Sequence, residues 1–188
     1  MKEKSGTRRG FTVKDIVFLA VISAITVCTA AVMAIVSHIY IFGLAQLVTA
    51  LQFSLFPAIA LSKVRKPGSL LLFAVFTGII LLFMAPVMFF SNLITGLVLE
   101  VICNLVCGGY EKKSTVFVAG WLFVPLTLPL NLLYYRMFGQ EYWDLFFHSG
   151  VQVLSIVFVI ATILVTALGA FLGLKIGGEL KKAGVLKN

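Results

Sequence analysis

The sequence predicts an all-α fold: a polytopic membrane protein built as a six-transmembrane-helix bundle, with N- and C-termini cytoplasmic. Three observations carry this. The chain of 188 residues is 61% hydrophobic with a mean hydropathy of +1.09, too apolar for a soluble domain. Its apolar residues fall into six blocks, about 16–37, 43–62, 68–86, 90–107, 115–135 and 149–174, and a spanning helix needs roughly 20 mostly apolar residues. The 15 basic residues alternate by side: all but Arg136 lie before the first block, in the second and fourth connections, or in the tail. The positive-inside rule assigns that side to the cytoplasm. Period-two alternation, the mark of a membrane β-barrel, is absent. Residues 1–188 are read as a single integral membrane domain with no room for a soluble catalytic one.

The net charge of +8 does not point to nucleic acid, because the basic residues are confined to connections and ends. The basic start is read as a cytoplasmic tail ahead of a retained first span rather than a cleaved signal peptide. In that first block Ala20 and Ala24 stand four apart, a small-residue spacing that lets another helix approach, within the chain or from a partner. The second block carries Gln46, Thr49 and Gln52 in its outer half and Pro57 nearer the cytoplasm. Val64 to Gly68 is a tight turn, and the third block is nearly all apolar up to Ala85 and Pro86.

The fourth block is the most informative. Asn92, Gly96, Glu100 and Asn104 recur every four residues, which lines them along one side of a helix. A carboxylate deep in a span costs roughly 2.5–3.5 kcal/mol on insertion scales, so such a stripe faces a bundle interior, a cavity or a partner. Its readings are a substrate contact, a proton site, or a hydrogen bond to Asn104 or a neighbouring helix. The fifth block contains Pro125 and Pro129, expected to kink it, and sets Thr127, Asn131 and Tyr134 on one side. Tyr142, Trp143, Asp144 and His148 occupy the longest outer loop, where an interfacial aromatic belt alone accounts for Tyr142 and Trp143. The last block bears Gln152 and Ser155 in its outer half and Gly169, Gly173 and Gly177 in its inner half, a spacing that permits close helix packing.

No motif for ATP binding or hydrolytic catalysis is present: Gly108 to Ser114 has glycines and a lysine but not the order of a phosphate-cradling loop. The odd set of Cys28, Cys103 and Cys107 sits inside apolar blocks, so no disulfide framework is implied. His38 and His148 are the only histidines and suggest no metal site by themselves. No catalytic residue, metal or cofactor is expected.

Several stretches resemble the substrate-binding S components of energy-coupling factor transporters, in particular the MptD (Trep_Strep) type. They are Phe11 to Ile16, Lys66-Pro67-Gly68, Gly96 to Glu100, Tyr110 with Lys113-Ser114, and the ending from Gly169 to Gly184. That resemblance implies a subunit of a bacterial cell membrane that captures a vitamin, a vitamin precursor or haem from outside. It implies as partners a transmembrane coupling subunit and two cytoplasmic ATPase subunits. It also points to Ala20 and Ala24 for docking, and to Asn92, Asn131, Tyr134, Trp143, His148 and Gln152 for the pocket, beside the stripe residues Gly96 and Glu100. The other readings are a self-sufficient secondary transporter and an intramembrane enzyme using Glu100.

Overall fold

The computed structural model describes residues 10–36, 39, 41–139, 143–144, 150 and 152–184. Among these it is helical throughout: α1 (Val13–Thr29), α2 (Met33–Val36), α3 (Leu44–Lys63), α4 (Ser69–Leu82), α5 (Pro86–Leu105), α6 (Lys113–Phe123), α7 (Thr127–Phe138) and α8 (Gln152–Lys182). No strand occurs among the described residues.

Helix α3 is the hub, packed against α1, α2, α4, α6 and α8, while α4 pairs with α5 and α7 lies against α5. Small residues set the closest approaches. A Cβ on Gly120 would lie 2.9 Å from the Ser54 carbonyl, and one on Gly177 2.8 Å from Ser62 Cβ. Without a hydrophobic drive between helices in lipid, such backbone proximity supplies the packing. The large side chains go the other way. On α8, Val153, Ile156, Val157, Ile160, Leu164, Leu168 and Phe171 are exposed, whereas Thr162, Thr166, Gly169, Ala170, Gly173 and Gly177 are buried. Such an inversion suits a lipid solvent, and water would not tolerate so large an apolar face. Between the helices Phe73 and Phe123 meet edge to face at 5.8 Å in a core with Leu19, Leu61, Leu99 and Val116.

Among the described residues, four stretches are long and apolar enough to cross a membrane: α3, α5, α6 with α7, and α8. The other two predicted spans are shorter than read from sequence. Helix α1 stops at Thr29 rather than near residue 37; the Thr26 and Thr29 hydroxyls donate to the Ile22, Ile25 and Thr26 carbonyls, competing with the backbone ladder there. Helix α4 has only 14 residues, about 21 Å of rise. Pro86 does not close it but opens α5 as its first residue, and Ala85 before it is extended at φ −160°, ψ 134°. A proline forces that conformation on its predecessor and suits the first helical turn. The expected kink in the fifth block is a turn between α6 and α7 containing Pro125, with Pro129 in the first turn of α7. The last helix runs on through its glycines to Lys182, beyond the expected end near 174.

Among the described residues, Arg65, Lys113, Lys181 and Lys182 gather at one end of the bundle, with Lys63 and Lys66 beside Arg65 in the chain. There Arg65 donates to the Glu111 carbonyl at 3.0 Å, Lys63 lies 4.0 Å from the Phe18 ring centroid, and Lys66 reaches Asp15 at 2.7 Å. Asp15 also closes a capping box with Thr12 at the polar start of α1. Burial would raise the Asp15 carboxyl, but the Lys66 ammonium and the Thr12 donors outweigh it and hold the group below its ordinary value of 3.8. A folded-state value below the unfolded one stabilises above the unfolded pKa, and that contribution is lost as pH falls through the folded one. Asp15→Asn is therefore expected to lower the melting temperature at pH 7, with the gap to wild type closing below about pH 4. A gap independent of pH in thermal melts would assign the effect to capping alone.

Candidate functional site

Glu100 was the residue on which the polar stripe turned, and its surroundings are a helix cap. Gly68 sits at φ +91° ahead of α4, a left-handed conformation that glycine adopts without penalty, and no side chain of its own turn caps that helix. The Glu100 carboxylate does so from α5, accepting from the backbone N–H groups of Gly68 at 2.5 Å, Leu70 at 3.1 Å and Leu71 at 3.3 Å. The Tyr110 hydroxyl donates to it at 2.9 Å, and the Asn104 amide donates as well. A carboxylate at a helix N-terminus meets unsatisfied donors and the positive end of the dipole. One acid thus ties α4, α5 and the connection to α6 together.

Gly96, one turn earlier, faces Ala74 and the Leu70 carbonyl, where a Cβ would collide with the alanine. It is a packing glycine of the α4–α5 pair. Neither Gly96 nor Glu100, both expected from sequence among the ligand contacts, borders the polar chamber described next.

The other end of the stripe opens on a different setting. A chamber of about 50 Å³ lies between α3, α5, α6 and α7, bordered by the half of α3 opposite to its Lys63 end. Asn92 and Asn131 border it together with Gln46, Thr49, Ser91 and Thr127; Met33, Met88, Phe53 and Phe123 are among its apolar walls. The two asparagines expected from sequence are therefore brought to one place, 39 positions apart in the chain. Ser91, which no spacing argument singled out, donates its hydroxyl to Asn131 Oδ1. Met33 and Met88 likewise belong to no motif; their position follows only from where α1 stops and α5 begins.

The chamber's hydrogen bonding is uneven. The hydroxyls of Thr49 and Thr127 donate to helix carbonyls at 2.9 and 2.7 Å, so toward the chamber their oxygens can only accept. The Asn92 amide donates to the Met88 carbonyl at 2.8 Å. That contact fixes which way the amide points, because a carbonyl cannot donate in return. Asn92 Oδ1, shielded from solvent, has no partner among the described residues. An unpaired buried carbonyl costs about 1–3 kcal/mol.

The remaining expected contacts lie apart. Tyr134 borders an apolar groove of about 490 Å³ between α5 and α7 with Phe90, Ile94 and Phe138, sharing Ser91 with the chamber. Gln152 lines a separate groove of about 300 Å³ with Phe42, Leu132 and Ser155. Trp143 lies beyond α7, its ring 5.7 Å from the Arg136 guanidinium. His148 falls outside the described residues. Ala24 is exposed and Ala20 half-buried on the side of α1 that carries Val13, Val17 and Val21.

The model of a family described as "Hypothetical bacterial integral membrane protein (Trep_Strep)" matches residues 13–182. No curated protein and no solved structure matches the chain. That match spans every helix from α1 to α8, the Glu100 cap and the chamber, and the chain belongs to the Trep_Strep family of bacterial integral membrane proteins.

Proposed function

We propose that this chain is the substrate-capturing subunit of an energy-coupling factor importer. In this reading it is not an enzyme. It takes up a vitamin-like micronutrient from the side opposite the basic loops, which lie in the cytoplasm, and passes it on through a separate coupling subunit driven by two cytoplasmic ATPases. The observation that carries the reading is the polar chamber, in which asparagines from two helices meet among apolar walls. Buried polar groups in lipid are expensive unless satisfied, and clusters of them border ligands or pathways. At about 50 Å³ the chamber takes a head group rather than a whole vitamin. Met33 and Met88, unbranched and flexible, are the walls that yield to something larger.

Two measurements test this. The detergent-purified chain should gain thermal stability from at least one member of a micronutrient panel, since a ligand that binds only the folded state stabilises it. It should also co-purify with a coupling subunit and its ATPases. Uptake driven by pH alone in liposomes lacking ATPases would replace the reading with a self-sufficient transporter. For docking, the uncovered side of α1 is the proposed contact. Ala24→Trp is expected to abolish co-purification with the coupling subunit while leaving ligand-induced stabilisation unchanged. Assembly that survives both Ala20→Trp and Ala24→Trp would place docking elsewhere.

A further inference from the structure

Resting on that reading, we infer that the ligand group taken into the chamber is uncharged and presents an N–H or O–H donor to Asn92 Oδ1. The first half of the inference follows from what borders the space. Among the described residues its polar lining is two asparagines, a glutamine, two threonines and a serine, with no Lys, Arg, His, Asp or Glu. The nearby carboxylate in the same helix, Glu100, is two turns away and its oxygens receive five donors of the fold. A carboxylate, phosphate or ammonium entering here meets no counter-charge, and burying an unpaired ion is far costlier than burying a neutral amide or alcohol.

The second half follows from the direction of the hydrogen bonds. Thr49 and Thr127 have committed their protons to helix carbonyls, Ser91 has committed its own to Asn131, and Asn92 has spent a donor on Met88 while its carbonyl is unmatched. Gln46, Asn131 and the second Asn92 N–H add amide donors to this wall, but the buried acceptor left unmatched is Asn92 Oδ1, so the group that meets it is a donor. A primary or secondary amide, a lactam or an alcohol fits, since each brings a donor for Asn92 Oδ1 and an oxygen for the amide N–H groups, whereas a group that only accepts leaves Asn92 Oδ1 unpaired. Selectivity for such a group is steep, because a ligand lacking the donor leaves a buried carbonyl unpaired.

Pairs in which a neutral group is replaced by, or esterified to, an ionised one test the inference: nicotinamide against nicotinate, pantothenol against pantothenate, pyridoxine against pyridoxine 5′-phosphate, and riboflavin against its 5′-phosphate. Binding is measured as the thermal shift of the full-length protein in detergent, titrated with each compound for an apparent Kd. The expected result is that the neutral member of at least one pair binds and its ionised twin binds at least about tenfold more weakly. Asn92→Leu and Asn92→Ala are expected to weaken the neutral compound about tenfold or more. An ionised twin that binds as tightly as the neutral one overturns the inference and leaves capture as such standing. Neutral preference with unchanged affinity in both Asn92 variants overturns the donor assignment. If no member of any pair shifts the wild-type melt, the inferred class and the capture reading fall together.

Discussion

Glu100→Leu is expected to be among the most damaging single substitutions in this chain, lowering stability by roughly 3–5 kcal/mol, read as a large drop in melting temperature and a loss of monodisperse protein. The magnitude follows from the count of orphans. Removing the carboxylate strands three backbone N–H groups at the start of α4 and the Tyr110 hydroxyl, while the Asn104 amide keeps its bond to the residue 100 backbone carbonyl. Each unpaired buried group costs about 1–3 kcal/mol, and relaxation at the helix end recovers part of it. Glu100→Gln keeps one acceptor oxygen but turns an NH₂ toward donors, so it should fall between wild type and leucine. Because the chamber lies nearer Asn92, the fraction that remains folded should bind ligand with unchanged affinity. A stable Glu100→Gln protein that has lost binding or uptake would reverse this assignment and return the carboxylate to a ligand or proton role.

That case also marks how far the sequence could be read. The four-residue stripe was legible because a polar residue in an apolar block has few affordable surroundings, and the stripe does face inward: Asn92, Gly96 and Glu100 are all buried. What divides it was not legible. Glu100 is spoken for by backbone groups about 30 positions earlier in the chain, and a main-chain N–H carries no signature in the amino-acid letters. Asn92 keeps an unmatched carbonyl instead. The helix lengths failed for a related reason: hydropathy counts apolar residues but not where the ladder stops, so a turn such as Phe83 to Ala85 is invisible inside an apolar run. Only Pro86 announced it, and a proline reads equally as an end or a beginning. The glycine spacing of the last block was the clearest signal, since small residues four apart on an apolar helix have one obvious use in lipid.

The sharpest test of that packing uses one substitution at two neighbouring glycines. In α8, a Cβ on Gly173 would run into the Leu55 carbonyl and lie 2.8 Å from Ala58 Cβ, whereas one on Gly178 would meet nothing within 4 Å. Both sites are interior to the same helix, so glycine to alanine lowers the conformational freedom of the unfolded chain alike at each. Gly178→Ala is expected to stabilise by about 0.4–1 kcal/mol. At Gly173 the same methyl group must push α8 away from α3, because a backbone carbonyl cannot rotate aside as a side chain does, and overpacking of this kind costs about 1–3 kcal/mol. Gly173→Ala should therefore melt below wild type and Gly178→Ala above it. Gly173→Val should be worse still, to the point of little folded protein, since α3 is also the hub for α1, α4 and α6. Equal stabilisation by alanine at both positions would mean that α3 and α8 are not in backbone contact. The chamber built on α3 would then need a different account, because Gln46, Thr49 and Phe53 are held in place by that contact from behind.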